Sequence, residues 1–369
     1  RQSELAELSR IYDSSALSNR NLVINGAMQV AQRGTSSTGL GASSGYFTVD
    51  RINPNFNATA GRLTMTQETI TDLTGFSNCV KLACTTADTS IAAAEYLILT
   101  LQAIEGQNLQ HLAKGTSAAK KVTVSFYVKA NAAATYVCEL QDSNSREISK
   151  SFSVTTDWTR VVLTYDGDTS GTLPNTNARG MSIQLWLHAG STYNSGDVAD
   201  LNTSWSAAGS GGVRAAGIDS FFDSTSRTFF ITGVQMEVGD TATPFEHRSF
   251  GDELARCQRY YFQEDSTTTN ASGGLGVAAA TTAVTFDHPL PVQMRANPSV
   301  ALSSANLRIG DTVSAGFTTS SGSISISSYS GSARGVYNLN GFSGLTTYRT
   351  YLHEPDSSHP GIVVFNAEL

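Results

Sequence analysis

The stretch KVTVSFYVKA, from Lys121 to Ala130, alternates apolar and polar side chains along its length. Successive side chains of an extended chain point to opposite faces, so the apolar residues here share one face. They are Val122, Val124, Phe126 and Val128. This period of two predicts a β-strand with one buried face. Because that face needs an apolar sheet opposite it, the pattern predicts a β-sandwich.

The same alternation recurs in MSIQLWLHAG, from Met181 to Gly190. TYVCELQD and TRVVLTYDG add further strands, and turns rich in Gly, Asn, Asp and Ser separate them. From Asn21 to about Val238, the sequence therefore predicts two antiparallel sheets packed face to face.

The chain changes character in ITGVQMEVGDTATPFEHRSFGDELARCQRYY, from Ile231 to Tyr261. Ile231 has the parity of a core residue, whereas Val234 and Met236 have the opposite parity. A shift of parity at Gly233 predicts a β-bulge, because a bulge inserts one extra residue into a strand.

After Pro244, the same stretch predicts a short helix. Ser249 and Asp252 have the spacing of a capping box, with Asp in place of the usual Glu. The expected buried stripe of this helix is Leu254, Cys257 and Tyr261. Short strand-like segments follow from about Thr267 to the C-terminus and predict a second β region.

Composition and charge exclude two classes of partner. The net charge is −7 and charged residues make up only 15% of the chain, so the basic face of a nucleic-acid-binding protein is not expected. No apolar run approaches the roughly 20 residues that cross a membrane, and membrane insertion is not expected either. The chain opens on Arg1, which suggests a fragment or a renumbered chain, and its polar start lacks the pattern of a secretory signal.

Motifs for catalysis are absent from the sequence: there is no GxSxG elbow, HExxH helix or phosphate-binding loop. We therefore expect no enzyme activity, no catalytic residues and no cofactor. His353 and His359, with Glu354 and Asp356 between them, could hold a metal ion, but a polar loop is the preferred interpretation, and no metal site is expected. The four cysteines lack metal-ligand spacing and are expected to be reduced and buried. They are Cys79, Cys84, Cys138 and Cys257.

Three blocks of the sequence resemble a family of tail-fibre and tail-tip proteins of marine and environmental bacteriophages. They are NLVINGAMQVAQRGTSS (Asn21 to Ser37), GYFTVDRI (Gly45 to Ile52) and FFITGVQMEVGDTATPFEHRSFGDELARCQRYY (Phe229 to Tyr261). Between these blocks, YLILTLQAIEGQNL, KVTVSFYVKA and TTDWTRVVLTYDGD resemble jelly-roll carbohydrate-binding modules of the family four and nine type.

Together, the patterns and the resemblance imply a mainly β fold in four parts. Residues 1–20 form a short N-terminal helix, 21–248 a jelly-roll β-sandwich, 249–266 a helical linker and 267–369 a C-terminal β-sandwich tip. The N-terminal helix either packs on its own domain or forms the end of a trimeric coiled coil, and the resemblance implies a homotrimer. Sugar-binding jelly rolls often hold structural calcium through an Asp pair, but this chain has Thr232 and Gly233 at that place.

Neutral sugars bind where an aromatic ring, an amide and a charge share one solvent face, because buried polar groups must be paired. The faces opposite the two apolar ones offer such groups, and Trp205 lies in a loop. The candidate glycan-binding residues are Gln184, Trp186, His188, Tyr127, Lys129 and Trp205. An outward Trp186 needs a partner, which is a glycan, another subunit or an overlying loop. Trp205 either anchors a ligand or plugs the end of the sandwich, and Trp158 is expected in the core.

A second candidate surface lies in the C-terminal region, where aromatic residues accompany Ser, Gly and Asn, the composition of adaptable recognition surfaces. The candidate receptor-contact residues are Tyr329, Tyr337, Phe342, Tyr348 and Tyr351. Ordinary strand aromatics are the alternative interpretation.

The expected function is that of a virion tail-fibre subunit, assembled in the host cytoplasm with other tail proteins. It would attach the phage to host cell-surface glycan, lipopolysaccharide or capsule, without covalent chemistry. The alternatives are a purely structural virion or decoration protein and a polysaccharide depolymerase.

Overall fold

The computed structural model describes residues 19–209, 212–264, 274–311 and 316–369. The chain divides into two compact units, Arg1–Glu253 with Leu369 and Leu254–Glu368. The N-terminal helix expected within residues 1–20 lies outside the described residues, apart from the last two positions of that segment. Within the described ranges, no helix has the length and apolar character needed to span a membrane.

The first unit contains two six-stranded antiparallel sheets. In spatial order, the first sheet consists of β1 (Ser36–Leu40), β3 (Arg62–Thr69), β4 (Asn78–Thr86), β12 (Thr228–Val238), β6 (Val122–Ala130) and β9 (Thr159–Tyr165). The second consists of β11 (Ser206–Ala207), β8 (Arg146–Val154), β7 (Ala134–Asp142), β10 (Arg179–Ala189), β5 (Tyr96–Glu105) and β2 (Asn53–Asn57). Short 3-10 helices occupy Gly106–Leu112 and Val198–Asp200. The predicted mainly β, jelly-roll sandwich is confirmed.

The core of the first unit lies between these sheets. The alternate apolar residues of β6 are all buried in it, and so are those of β10. Burying a side chain of this size stabilises the fold by about 1.5–3 kcal/mol. The faces predicted from the period of two are therefore correct for both strands.

Strand β12 carries the predicted bulge. Phe229, Ile231, Val234 and Met236 are all buried in the same core, although their parity changes along the strand. The pairing of β12 with β6 shifts between Thr232 and Gln235. Gly233 has a φ of 63°, which favours glycine. Because of the bulge, odd-numbered residues before Gly233 and even-numbered residues after it face the same core.

The predicted helix, α1, spans Phe250–Gln258. The backbone N–H of Asp252 donates to Ser249 Oγ at 3.2 Å, and this hydroxyl donates to the Asp252 carboxylate at 2.7 Å. Cys257 is fully buried, as predicted, and Leu254 is half-buried. The prediction that Tyr261 belongs to the helix is wrong, because Tyr261 is the first residue of a β-strand and pairs there with Asn366.

The second unit contains a three-stranded and a seven-stranded antiparallel sheet. In spatial order, the smaller sheet has β13 (Tyr261–Gln263), β22 (Val363–Asn366) and β16 (Ser299–Leu302). The larger has β18 (Phe317–Thr319), β17 (Leu307–Gly310), β21 (Thr350–His353), β14 (Leu275–Ala280), β15 (Ala283–Pro289), β20 (Arg334–Asn340) and β19 (Ser323–Ile326). Residues from both sheets share one core, with Phe286, Tyr337 and Phe365 among its members.

All four cysteines are buried thiols, as the sequence predicts. Cys84 belongs to the core between the sheets, whereas Cys79 packs with Ile70 and Phe76 on the outer face of the first sheet. Burial raises the pKa of Cys79 to about 12 and that of Cys84 to about 11. Both thiols are therefore poor nucleophiles.

We expect Gly233→Ala to lower the free energy of unfolding by about 1–3 kcal/mol. A Cβ at this position would lie 2.8 Å from the rings of both Phe76 and Tyr127, on a backbone that already has a positive φ. Urea denaturation measures the effect. Gly251→Ala is the matched control, since its Cβ would meet nothing within 4 Å and it lies in α1. Equal stability of the two variants would contradict the bulge as the reason for this glycine.

Candidate functional site

Trp186, Gln184 and His188 lie on the outer face of the second sheet, as predicted, but they are not exposed. Trp186 and His188 are each 0% exposed, and Gln184 is 8% exposed. The segment that follows β10 covers Trp186 with Leu201, Ala216 and their neighbours, and Ser220 of the same segment contacts His188. The prediction that these three residues form a surface platform is wrong, and of the alternatives for Trp186 the overlying loop is the one observed.

Arg214 belongs to the segment that covers Trp186, and it contacts the tryptophan ring. Its guanidinium carbon lies 4.9 Å from the centroid of the Trp186 ring. Arg214 also pairs with the buried carboxylates of Glu139 and Glu147, each at 2.5 Å. Burial, and then the charge of Glu139, raise the pKa of Glu147 above its usual value. An arginine paired with two buried carboxyl groups holds the covering segment in place, because its removal would leave these buried groups without their partner.

Trp205 plugs the end of the first unit's core. It is half-buried, packs against that core, and its indole N–H donates to the Asp166 carbonyl at 2.7 Å. The Lys114 ammonium lies 5.1 Å from the ring centroid. Because Trp205 packs against the core between the sheets, it fits the plugging role among the two left open by the sequence.

Tyr127 and Lys129 remain at the surface of the first sheet, where both are half-buried. The strand register places Lys129 opposite Phe230, and Phe230 opposite Lys81 on its other side. Thr159 pairs with Val128, which sets Trp158 beside Lys129 at the start of β9. Strands β4, β12 and β6, with the residue that precedes β9, therefore bring aromatic and basic side chains together on one solvent-facing side of the sheet.

We call this group, formed by Asp72, Lys81, Lys129, Trp158 and Phe230, the Trp158 patch. The Lys129 ammonium lies 5.1 Å from the Trp158 centroid and 5.2 Å from the Phe230 centroid. The Lys81 ammonium lies 5.4 Å from the Phe230 ring. Distances below about 6 Å are those of favourable cation–π contacts.

Asp72 fixes the orientation of the Trp158 ring. Its carboxylate accepts a hydrogen bond from the Trp158 indole N–H at 3.0 Å and another from Lys129. Hydrogen bonds from Lys129 and then from Trp158 hold the pKa of Asp72 below its usual 3.8. The carboxylate is thus ionised at neutral pH, and its side chain is 52% exposed.

The expectation that Trp158 lies in the core is wrong. Trp158 is half-buried because it precedes β9 at the sheet edge and lies over the outer side chains of β6 and β12. Phe230 was also missed, although its parity between the core residues Phe229 and Ile231 indicates an outward ring. Asp72 belongs to the connection between β3 and β4, and sequence spacing carries no signal for its position.

The five tip candidates separate into two groups in the second unit. Tyr337, Phe342 and Tyr351 are 0%, 3% and 1% exposed, so their prediction as receptor contacts is wrong. They fill the core of that unit, as expected for ordinary strand aromatics. Tyr329 and Tyr348 are 82% and 89% exposed and remain accessible.

His353 and His359 each have a partner of their own. Buried His353 contacts the Glu264 carboxylate at 3.0 Å, while His359 contacts Asp356 at 3.0 Å within its own loop. Arg308 donates to the same Asp356 at 2.9 Å. The polar-loop interpretation fits His359 and Asp356, whereas it is wrong for His353, which ends β21 and is buried.

Thr232 and Gly233 offer few ligands for a calcium ion. Thr232 uses its hydroxyl to donate to the Asn78 carbonyl at 2.8 Å, and Gly233 offers no side chain. A calcium site needs several oxygen ligands with free lone pairs, mostly carboxylates and carbonyls. These two residues supply no carboxylate.

A cluster of ionisable side chains lies at the second sheet of the first unit. Asp88, Glu95 and His188 are all buried, and one ligand atom of each lies within 4.8 Å of the others. Burial lowers the pKa of His188 to about 4 and raises that of Glu95. No local sequence pattern predicts this cluster, because its members come from separate segments of the chain.

Comparison with known proteins finds similarity only among solved structures. No family model matches the chain, and no curated protein matches it. A CBM4 protein has 10% identity and a TM-score of 0.30 over 58% of this chain and 99% of that one. The enzymatically active domain of tailspike protein 4 of bacteriophage CBA120 has 12% identity and a TM-score of 0.29 over 59% of this chain and 21% of that one. The N-terminal cellulose-binding domain of Cellulomonas fimi β-1,4-glucanase C has 14% identity and a TM-score of 0.26 over 58% of this chain and all of that one. These likenesses carry no argument about what this chain binds.

We expect Trp186→Ala to lower the free energy of unfolding by about 3–5 kcal/mol, because it empties a closed apolar site beneath Arg214. Urea denaturation of the full chain measures the loss. Val162→Ala, at a position that is 47% exposed in the same unit, is the control and is expected to change stability by at most about 0.5 kcal/mol. A Trp186→Ala variant as stable as this control would show that the covering segment does not depend on the tryptophan.

Proposed function

We propose that this chain is a virion tail-fibre subunit that attaches a phage to its host by binding cell-surface glycan, and that the Trp158 patch is the binding site. The observation that carries the proposal is a half-exposed indole held beside a second ring, two ammonium groups and an exposed carboxylate on one face of the sheet. Its partners would be host lipopolysaccharide or capsule and other tail proteins.

The patch has the two kinds of group that a sugar ring requires. The C–H face of a pyranose can lie against Trp158 or Phe230, while its hydroxyls reach hydrogen-bonding groups at the rim. Asp72 accepts such bonds and Lys129 donates them. Because polar groups that lose water without a partner cost affinity, a sugar that satisfies both is favoured over a purely apolar ligand.

Pre-organisation supports the same proposal. The Trp158 indole is already fixed by Asp72, and its ring packs at 70° to the Phe230 ring with centroids 6.4 Å apart. A side chain that is ordered before binding loses little entropy when the ligand arrives. Lys81, Phe230 and Lys129 lie on β4, β12 and β6, and strands hold side chains more precisely than loops do.

The charges of the patch are balanced. Lys81 pairs with Glu68 at 2.8 Å, and Lys129 pairs with Asp72. The site therefore favours neutral or weakly charged sugars over a polyanion, and its binding should depend little on salt. Individual contacts of this kind are weak, and a homotrimeric fibre would multiply them through avidity. The proposal treats the chain as a binding protein and not as an enzyme.

We expect Trp158→Ala to weaken binding to host capsule or lipopolysaccharide by about tenfold, equivalent to about 1.4 kcal/mol. Asp72→Ala is expected to weaken binding as well, because it releases the indole while changing only an exposed side chain. A glycan array and biolayer interferometry, repeated at about 0.5 M NaCl to screen ionic adsorption, measure the effect. Thermal unfolding verifies that each variant is folded.

Tyr329→Ala and Tyr348→Ala are the matched controls, since both remove an exposed ring from the second unit. They should bind as the wild type does. Loss of binding in these variants but not in Trp158→Ala would move the site to the second unit. Absence of binding to any host polysaccharide would favour a purely structural virion protein, and release of reducing ends would favour a depolymerase.

A further inference from the structure

Three distant segments meet at the Asp88, Glu95 and His188 cluster, outside the Trp158 patch. Asp88 lies in the connection between β4 and β5, Glu95 directly precedes β5, and His188 lies near the end of β10. Asp88, Glu95 and His188 are 4%, 6% and 0% exposed, respectively. The chain crosses from one sheet to the other in the β4–β5 connection, so the cluster joins this crossing to the second sheet.

Two atoms of the cluster lack hydrogen-bond partners. They are Glu95 Oε2 and His188 Nε2, and both are buried. They face each other at 3.8 Å, which is too long for a hydrogen bond. A buried acceptor without a partner is costly, and such pairs are rare in folded proteins. A cation between these two atoms would satisfy both of them.

We propose that Asp88, Glu95 and His188 bind a divalent transition-metal ion of the Zn²⁺ type. One imidazole nitrogen and two carboxylates are ligands that Zn²⁺ accepts, whereas Ca²⁺ and Mg²⁺ favour oxygen alone. Two carboxylates would balance the charge of a divalent ion in a buried site. Metal–ligand bonds of about 2.0–2.2 Å reach across the gap between Nε2 and Oε2.

The surroundings of the cluster orient the proposed ligands. Ser220 Oγ lies 2.8 Å from His188 Nδ1 and already accepts the Phe222 N–H at 3.1 Å. When Nδ1–H donates to Ser220, the lone pair of Nε2 points towards Glu95. Outer contacts of this kind fix the tautomer of a metal-binding histidine.

The Asp88 carboxylate is held in the same way. Its Oδ2 accepts from the Thr59 hydroxyl and the Ala60 N–H, each at 2.8 Å. The backbone is also fixed, since the Asp88 N–H donates to Phe222 O and the Gly190 N–H donates to Glu95 O, both at 2.8 Å. The ligands are therefore pre-positioned, and the ion would clamp the sheet crossing. This role is independent of glycan binding.

The test uses the full chain and Zn²⁺ itself. Protein stripped with dipicolinic acid is titrated with Zn²⁺, and bound metal and the thermal midpoint are measured. We expect one equivalent of Zn²⁺ per chain and a rise in Tm of about 5 °C or more at a free concentration about 100-fold above Kd. Glu95→Gln, which keeps the side-chain shape, and His188→Gln should abolish both effects.

His111→Gln is the matched control, because His111 is an exposed histidine elsewhere in the same unit. It should bind Zn²⁺ like the wild type. Ser220→Ala should weaken Zn²⁺ binding by about 10–100-fold through loss of ligand positioning. The proposal is overturned if the wild type takes up no Zn²⁺ and its Tm does not change when Zn²⁺ is added. That result would favour a proton shared by the carboxyl groups of Asp88 and Glu95 in place of a metal ion. Zn²⁺ binding that survives Glu95→Gln, or stabilisation by Ca²⁺ alone, would also overturn it.

Discussion

The two-residue period of the β-strands determines which side chains of the first unit enter its core and which lie outside. Each side chain of a strand faces either the core or the outside, and a change from one face to the other requires a bulge. In β12, Gly233 supplies that bulge at the crowded contact with Phe76 and Tyr127. Phe229 and Ile231 enter the core before the bulge and Val234 and Met236 enter it after, which leaves Phe230 on the outer face beside Lys81 and Lys129.

Much of this fold could be predicted from the sequence because the period of two is a local signal. The buried faces of β6 and β10, the bulge at Gly233 and the helix start at Ser249 all follow from neighbouring residues. The end of the helix could not be predicted in this way. Tyr261 has helical spacing, but its pairing with Asn366 overrides that spacing, and strand partners distant in the sequence have no local signature.

The candidate site was harder to predict, for a physical reason. Parity shows which side of a sheet a residue faces, but not whether a loop covers that side. Trp186 faces outward as its parity requires, yet the segment with Leu201 and Arg214 buries it. Trp158 shows the reverse case, since its place at the strand edge leaves it half-exposed on the sheet. Asp72 and the Asp88 cluster depend on contacts between segments that only the folded chain brings together.

The two outer faces of the sandwich thus differ in character: one is covered and holds buried ionic groups, and the other presents rings and charges to solvent. The central claim is that glycan binds the open face at Trp158. The chain has 3 tryptophans, so 5-fluorotryptophan labelling gives one fluorine resonance for each of them. Titration of the labelled full chain with host polysaccharide, followed by fluorine NMR, is the most direct test. If glycan binds at Trp158, the Trp158 resonance shifts while those of Trp186 and Trp205 do not. A shift of Trp186, or saturable binding with no shift at Trp158, would contradict it.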